Sequence, residues 1–338
     1  MGFYMRFIVY GAGAIGGTIG GHLYRTNHDV VLVGNAEHVD RIRESGFRLV
    51  TPDETYVLKI PACKKAEELA PFRGDDVLLL TAKSQHTLTC LGQLKNAGAP
   101  RGLPIFCVQN SICNEPLATR IFDRVYGVIV NVPGIFLNPG EVVNSITGNN
   151  GFLEVGFYPS GSDELALEVS EAFRKAGFAG GVNEFVMRTK AAKGLRNLVN
   201  ALQAITRSWE ERNDEFMAAV RKEAMEVWKA AGIEWEDYEE FQKRVGSARG
   251  IITNPKGYED IGKPDSSWQS LMRGTGNIET EQLNGDVVKL GHMLGIETPY
   301  NELLWRLADE MAKKEEKPGK FTKEDLKKML REKTELHP

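Results

Sequence analysis

Short apolar runs alternate with helical periodicity through the first half of the chain. Residues 7–10, 30–33, 77–81 and 105–108 are rich in Val, Ile and Leu and lack polar alternation, the pattern of strands buried on both faces. Between them, residues 14–25, 37–44 and 87–94 carry helix-like spacing. Strands that alternate with helices in this way predict βαβ units and a parallel sheet. Residues 51–59 and 134–156 read as hairpins, because Pro52-Asp53, Asn138-Pro139-Gly140 and Asn149-Asn150-Gly151 are turn sequences.

Past about residue 184 the strand pattern stops. Residues 186–209, 214–231, 277–294 and 300–314 predict helices, with Ala, Glu and Lys at helix-favouring positions. The glycine-rich stretch 177–181 marks the expected boundary. Residues 234–264 are polar and hold Gly246, Gly250, Pro255, Gly257 and Gly262, which predicts a long loop over the helices. The tail from Lys313 is charge-rich, and Thr322 can cap a last helix over 323–331 or begin a frayed end. The expected fold is therefore α/β: an N-terminal Rossmann domain with a doubly wound parallel sheet (1–184), then an all-helical domain with a charged tail (185–338). A length of 338 residues suits two domains of ordinary size.

Composition narrows the function. A net charge of −4 argues against nucleic-acid binding, which needs clustered Lys and Arg. No apolar run approaches the roughly 20 residues of a membrane span. The opening residues lead straight into a strand without a cleavage site, and Met5-Arg6 do not suit acylation at Gly2. Cys63, Cys90, Cys107 and Cys113 have no metal-site spacing, so reduced, structural thiols, no metal and a cytoplasmic location are expected. A homodimer is a further expectation, though no residue in the sequence specifies it.

The first candidate chemistry is Gly11-Ala12-Gly13-Ala14-Ile15-Gly16, a GxGxxG turn placed directly after a strand and opening a helix. In that context the first glycine permits the tight turn, the second lets backbone approach a pyrophosphate, and the third brings helix and strand together. The free N–H groups of the helix start, at Ala14 and Ile15, then face the phosphates. The carboxylate that selects NAD usually stands about 20 residues on, at the end of the second strand. Here the strand ends Leu32-Val33-Gly34-Asn35, with no acid before Glu37 and no arginine. The missing carboxylate favours NADP and still admits NAD.

The second candidate lies on the first long helix. Lys193, Asn197 and Asn200 stand at i, i+4 and i+7, one stripe shared with Leu and Val neighbours. A lone lysine on a helix is usually solvated, but amides on an otherwise apolar stripe need partners when buried. Lys190, three residues earlier and about 60° around the helix, is the natural control for that register.

Together these stretches resemble the ketopantoate (2-dehydropantoate) reductase family, from about Arg6 to about Asp309. The resemblance rests on the Lys193–Asn197 helix, on Thr81-Ala82-Lys83-Ser84 after the fourth strand, and on Gln109-Asn110-Ser111 after the next. Ser267 and Glu279 match further family positions, with Glu279 five residues before Asn284-Gly285. The chain departs from the family at Ala201, where an asparagine is usual, at Ser111 in place of glycine, and at Asn35 in place of an arginine that meets the 2′-phosphate.

The resemblance implies NAD(P)H-dependent reduction of a 2-oxo acid, ketopantoate first, in the biosynthesis of pantothenate. It implies Lys193 as proton donor and Glu279 as the carboxylate holding it. Asn197 and Asn200 would bind substrate hydroxyl or carbonyl, Ser267 the substrate carboxylate, and Asn110 nicotinamide or substrate. Gly11, Gly13, Ala14, Ile15, Gly16, Asn35 and Lys83 would line the cofactor. Two other readings stand beside this one: a dehydrogenase of the same architecture acting on another hydroxy or oxo acid, and a non-enzymatic dinucleotide sensor. A sensor has no need of a proton donor with its orienting carboxylate. Bare residues also admit structural readings, with Ser267 as a helix cap and Glu279 on a solvated face.

Overall fold

The structure, a computed structural model, describes residues 5–206, 215–259, 266–274, 276 and 278–336. The strands are β1 (Arg6–Tyr10), β2 (Asp29–Val33), β3 (Phe47–Val50), β4 (Thr55–Leu58), β5 (Ala62–Cys63), β6 (Asp76–Leu80), β7 (Ile105–Cys107), β8 (Val125–Asn131), β9 (Gly134–Ile135), β10 (Glu141–Asn144), β11 (Ile146–Thr147), β12 (Phe152–Phe157), β13 (Ala179–Val182) and β14 (Ile251–Ile252). The helices among them are α1 (Ala14–Arg25), α2 (Ala36–Ser45), α3 (Thr87–Asn96), α4 (Asn114–Ala118) and α5 (Glu164–Lys175). After these come α6 (Val186–Asn197), α7 (Val199–Thr206), α8 (Glu215–Ala230), α9 (Tyr238–Ala248), α10 (Ser266–Arg273), α11 (Asn284–Leu294), α12 (Pro299–Lys313) and α13 (Lys323–Leu336).

The chain divides into two compact units. One holds Met1–Lys190 and Asp237–Gly262, the other Ala191–Glu236 and Lys263–Pro338. The first is built on an eight-stranded sheet of order β13-β12-β8-β7-β6-β1-β2-β5. Successive residues of β1 and β2 feed opposite cores: Phe7, Val9, Val30 and Leu32 one side, Ile8, Tyr10, Val31 and Val33 the other. Burial on both faces is why these strands read as unbroken apolar runs. β1 pairs parallel with β2 on one side and β6 on the other. The chain thus winds outward from β1 in both directions, and the gap between β1 and β6 is the topological switch point of the sheet.

Around Pro52-Asp53 the hairpin forms as expected, between β3 and β4, with its first strand starting earlier than the turn residues indicate. The Asn138-Pro139-Gly140 turn joins β9 and β10. The Asn149-Asn150-Gly151 turn closes no hairpin, because β11 pairs instead with distant β14. The 177–181 glycines are not a boundary: they enter β13, an edge strand of the large sheet. Gly180 has φ +116 and an added Cβ would lie 1.8 Å from the Leu153 carbonyl, so close strand pairing explains that glycine.

Within the expected loop over 234–264 the chain forms α9 and β14, both in the first unit, and residues 260–264 lie outside the described residues. Asp237 caps α9 by accepting from the N–H groups of Glu239 and Glu240, and Phe241 and Val245 bury one face. Asn149 donates to the Ala248 carbonyl at 2.8 Å, Arg244 pairs with Glu154, and Tyr258 donates to Glu141.

In the second unit every element of the described residues is helical. α7 packs on α10 and α12, and α8 on α11 and α12. The helix expected over 186–209 breaks at Leu198 into α6 and α7, and its end at Trp209 lies outside the described residues. The helix expected from residue 277 starts at Asn284, and Glu279–Gln282 form a separate 3-10 turn. The expected starts at Asp214 and Asn277 lie outside the described residues. Thr322 caps α13, its hydroxyl accepting from Asp325 N–H while the Asp325 carboxylate accepts from Thr322 N–H. Among the described residues no helix is long and apolar enough to cross a membrane.

Candidate functional site

The glycine turn follows β1 directly, and the three glycines meet three different surroundings. Gly11 has φ +117, and a Cβ there would lie 2.4 Å from Ala82 N. A Cβ on Gly16 would lie 2.3 Å from the Gly11 carbonyl and 2.4 Å from Thr81 Oγ1, so only glycine lets α1 approach the sheet so closely. A Cβ on Gly13 would meet nothing within 4 Å. Gly13 therefore needs no side chain removed to fit the protein; it leaves open space over the turn. Gly13 also caps α1, so Ala14 and Ile15 form its first turn, where backbone N–H groups lack intrahelical acceptors.

The turn after β6 lies against this one. Thr81 and Ala82 N–H both donate to the Tyr10 carbonyl, and Thr81 Oγ1 donates to the Gly11 carbonyl at 2.9 Å. Lys83 follows at once and precedes the short 3-10 turn Ser84–His86. Asn110, half-buried, sits in the turn after β7. A buried network ties these two turns together. Gln109 Nε2 donates to the Ala82 carbonyl and to Thr87 Oγ1, Thr87 Oγ1 to Asn114 Oδ1, and Asn114 Nδ2 to Ser84 Oγ. Asn35, exposed at the end of β2, uses its Oδ1 to accept from His38 N–H and cap α2.

In the helical unit, Lys193 and Asn197 are buried near the end of α6, Ser267 is buried at the start of α10, and Glu279 is buried in the 3-10 turn. That turn packs against α10 and α11. Among the described residues, Asn197 Nδ2 and Ser267 Oγ have no hydrogen-bond partner, and neither have Thr280 Oγ1, Gln282 Oε1 and Asn284 Oδ1 nearby. Burial removes the reading of Glu279 as a solvated residue. The break at Leu198 ends the single stripe expected of Lys193, Asn197 and Asn200: Asn200 is half-buried on α7.

Asn284, which the sequence offers only as part of an Asn-Gly pair, is a support for this break. Its Nδ2 donates to the Leu198 carbonyl at 3.4 Å and to Asn301 Oδ1 at 3.0 Å. Asn301 in turn donates to the Val220 carbonyl and to Glu223, and Glu223 accepts the N–H groups of Tyr300 and Asn301 at the start of α12. Burial pushes the Glu223 carboxyl up against the pull of those donors. Gly285 packs closely on Trp305: an added Cβ would lie 3.0 Å from the ring, which would have to shift by a few tenths of an ångström.

Lys190 overturns its expected use as a neutral control. It is 1% exposed, donates to the Cys107 carbonyl at 3.0 Å and pairs with buried Glu115. Burial pushes the Glu115 carboxyl up, and Lys190 opposes that shift. Lys190 shares an i, i+4, i+7, i+11 stripe with Val186, Lys193 and Asn197, but its partner Glu115 lies 75 residues away in sequence.

Comparison with known proteins gives one family along nearly the whole chain. Residues 7–160 match the model described as ketopantoate reductase PanE/ApbA, and residues 185–312 match its C-terminal model. The chain is 27% identical over 310 residues to a 2-dehydropantoate 2-reductase of Pyrococcus horikoshii, covering 90% of this chain and 96% of that one. It is 25% identical to one from Archaeoglobus fulgidus, covering 89% and 96%. Among solved structures, a PanE/ApbA family ketopantoate reductase from Ralstonia eutropha superposes with a TM-score of 0.76 at 26% identity, over 92% of this chain and 99% of that one. A D-mandelate dehydrogenase solved with NADH and anilino(oxo)acetate has the same fold, with a TM-score of 0.75 at 19% identity, over 92% and 99%. With both halves matched, the chain belongs to the ketopantoate reductase PanE/ApbA family.

Proposed function

We propose that this protein reduces a 2-oxo acid, ketopantoate first, to the 2-hydroxy acid at the expense of a reduced nicotinamide dinucleotide. The observation that carries the cofactor half is Gly13: the one place in the turn where a side chain would enter open space is the place a pyrophosphate needs. Gly11, Gly13 and Gly16 with the first turn of α1 would hold the pyrophosphate. Lys83 and Asn110 would line the cofactor at the ends of β6 and β7. When bound, the reduced nicotinamide supplies a hydride to the keto carbon.

The chain's own contribution falls on the oxygen. As the carbonyl oxygen gains negative charge, the Lys193 ammonium stabilises it and delivers the proton, and solvent later restores the ammonium. Glu279 is the orienting carboxylate for that ammonium. Asn197 Nδ2 and Ser267 Oγ, buried with bonding capacity to spare, suit the substrate's oxygens: the amide the carbonyl or hydroxyl, the hydroxyl the carboxylate. Ala201, fully buried where the family usually carries asparagine, offers no hydrogen bond, which leaves Asn200 to meet the substrate's terminal hydroxyl.

A screen tests this. Ketopantoate, 2-oxoisovalerate (which lacks the hydroxymethyl group) and an aryl 2-oxo acid are each supplied with NADPH or NADH, and reduced-nicotinamide absorbance is followed. The proposal expects oxidation with ketopantoate at the highest kcat/KM. Faster turnover of 2-oxoisovalerate moves the substrate to an unhydroxylated 2-oxo acid, and no turnover of any 2-oxo acid defeats the proposal.

A further inference from the structure

In a sheet of this kind the 2′ position of the adenosine ribose lies at the carboxyl end of the strand that follows the glycine helix. Here that point is Gly34-Asn35, after β2. Asn35 has no charge to offer, and its Oδ1 is engaged by His38 N–H at 2.9 Å. The next strand of the sheet brings a cation to the same corner. β5 pairs parallel with β2, Val33 opposite Cys63, and Gly34 N–H donates to the Cys63 carbonyl at 3.1 Å. Lys64 therefore leaves the sheet alongside Gly34-Asn35.

The two arginines of α2 are engaged elsewhere. Arg43 donates to the Ala62 carbonyl and pairs with Glu68 at 2.6 Å. Arg41 packs its stem over Gly140 and donates to Glu44 at 2.8 Å. Lys64 is set apart by its place at the end of β5, beside Gly34-Asn35. Its Nζ lies 2.5 Å from Asp40 Oδ1, on the turn of α2 following Ala36, and the Asp40 side chain is 61% exposed. An exposed carboxylate on a half-buried ammonium is a partner that a phosphate can replace.

We propose that Lys64 is the specificity-determining residue for the 2′-phosphate, and that Asp40 is its built-in competitor. This rests on the reading of the glycine turn as a dinucleotide site. A 2′-phosphate that takes Lys64 gains a strong ion pair and leaves the Asp40 carboxylate close to a dianion. The two effects oppose, so discrimination between NADPH and NADH is weak, under about tenfold in the wild type. The two side chains then predict substitutions of opposite sign on NADPH alone.

Dissociation constants for NADPH and NADH, from nicotinamide fluorescence titrations of the whole protein at low ionic strength, decide it, with kcat/KM ratios alongside. Lys64→Ala should weaken NADPH about three- to tenfold and leave NADH within about twofold. Asp40→Asn should tighten NADPH about two- to threefold with NADH unmoved, and both shifts should shrink as salt is raised. Because NADH has no 2′-phosphate, its unchanged binding shows that the pocket is intact in each variant. Equal shifts for both cofactors, no shift in Lys64→Ala, or weaker NADPH binding in Asp40→Asn would each overturn the proposal. Strong wild-type binding with an unmoved ratio sinks Lys64 alone; wild-type protein that binds neither dinucleotide sinks the cofactor reading and Lys64 with it.

Discussion

The polar cluster beneath the 81–87 and 109–114 turns and the polar residues of the helical unit use the same residue types but are finished differently. In the first, Thr87, Gln109, Asn114 and Ser84 satisfy one another at 2.7–3.2 Å, with the Gln109 carbonyl as the exception. In the second, Asn197 Nδ2 and Ser267 Oγ are buried without a protein partner. An unsatisfied buried donor costs about 1–3 kcal/mol, a cost that a bound substrate or solvent can remove. The first cluster is scaffold that fixes two turns, and the second, on the proposed function, would meet the oxygens of the substrate. On α6, Lys190 belongs with the scaffold, committed to Glu115 and the Cys107 carbonyl.

The sharpest way to break this comparison is to remove a scaffold charge. Lys190→Ala leaves Glu115 buried and unpaired, and should lower unfolding stability by about 3–5 kcal/mol in denaturant titration. Lys190→Met with Glu115→Leu should recover most of that loss. A fully stable Lys190→Ala would show the pair to be expendable and return Lys190 to the role of neutral control.

Next in size is the glycine turn. Gly13→Val puts a side chain into the open space over the turn and should weaken dinucleotide binding at least about a hundredfold, ~2.7 kcal/mol, with the unfolding transition unchanged. Unchanged affinity would remove Gly13 from the pyrophosphate site.

A paired substitution then sets the two clusters against each other. Asn114→Ala strips partners from Thr87 and Ser84 and should cost about 1–3 kcal/mol of stability. Ser267→Ala deletes a hydroxyl that has no protein partner, and should leave stability within about 0.5 kcal/mol while raising KM for the 2-oxo acid. Equal stability losses at the two positions would erase the distinction drawn between them.

The sheet-side scaffold also titrates. His22 is buried, with Nε2 3.1 Å from Asn144 Oδ1 and Nδ1 facing Arg25, and burial chiefly pulls its pKa down from 6.5 to about 4. Below pH 6.5 the unfolded chain takes up a proton that the folded chain refuses. Stability should therefore fall on acidification from pH 6.5 to about 4 and then level off. A His22→Gln variant should flatten the melting-temperature profile in that window; an identical slope would place the acid sensitivity elsewhere.

The sheet and the glycine turn were legible because their signals are local. β1, β2, β6 and β7 are apolar runs buried on both faces, and Gly11 and Gly16 are demanded by neighbours a few ångströms away. Lys193, Asn197, Ser267 and Glu279 could be named from motif resemblance, and the structure finds all four buried. What stayed hidden depends on partners distant in sequence. Glu115 lies 75 residues from Lys190, and nothing near either announces the pair. β14 is two residues long and exists because β11, over a hundred residues earlier, accepts it. The break at Leu198 has no proline or glycine to mark it, and Asn284 from α11 is bound to its carbonyl. The α9 helix is the one miss that local reasoning could have prevented, since Asp237 with Phe241 and Val245 is an ordinary cap and buried stripe.

The proposed reaction depends most on Lys193, which would supply the proton when a 2-oxo acid is reduced. The direct measurement is a single-turnover reaction of Lys193→Ala, saturated with NADPH and mixed with ketopantoate, beside fluorescence titration of NADPH. The expected rate is about 10²–10⁴-fold below the wild type, with NADPH affinity unchanged. A single-turnover rate within about threefold of the wild type would contradict it.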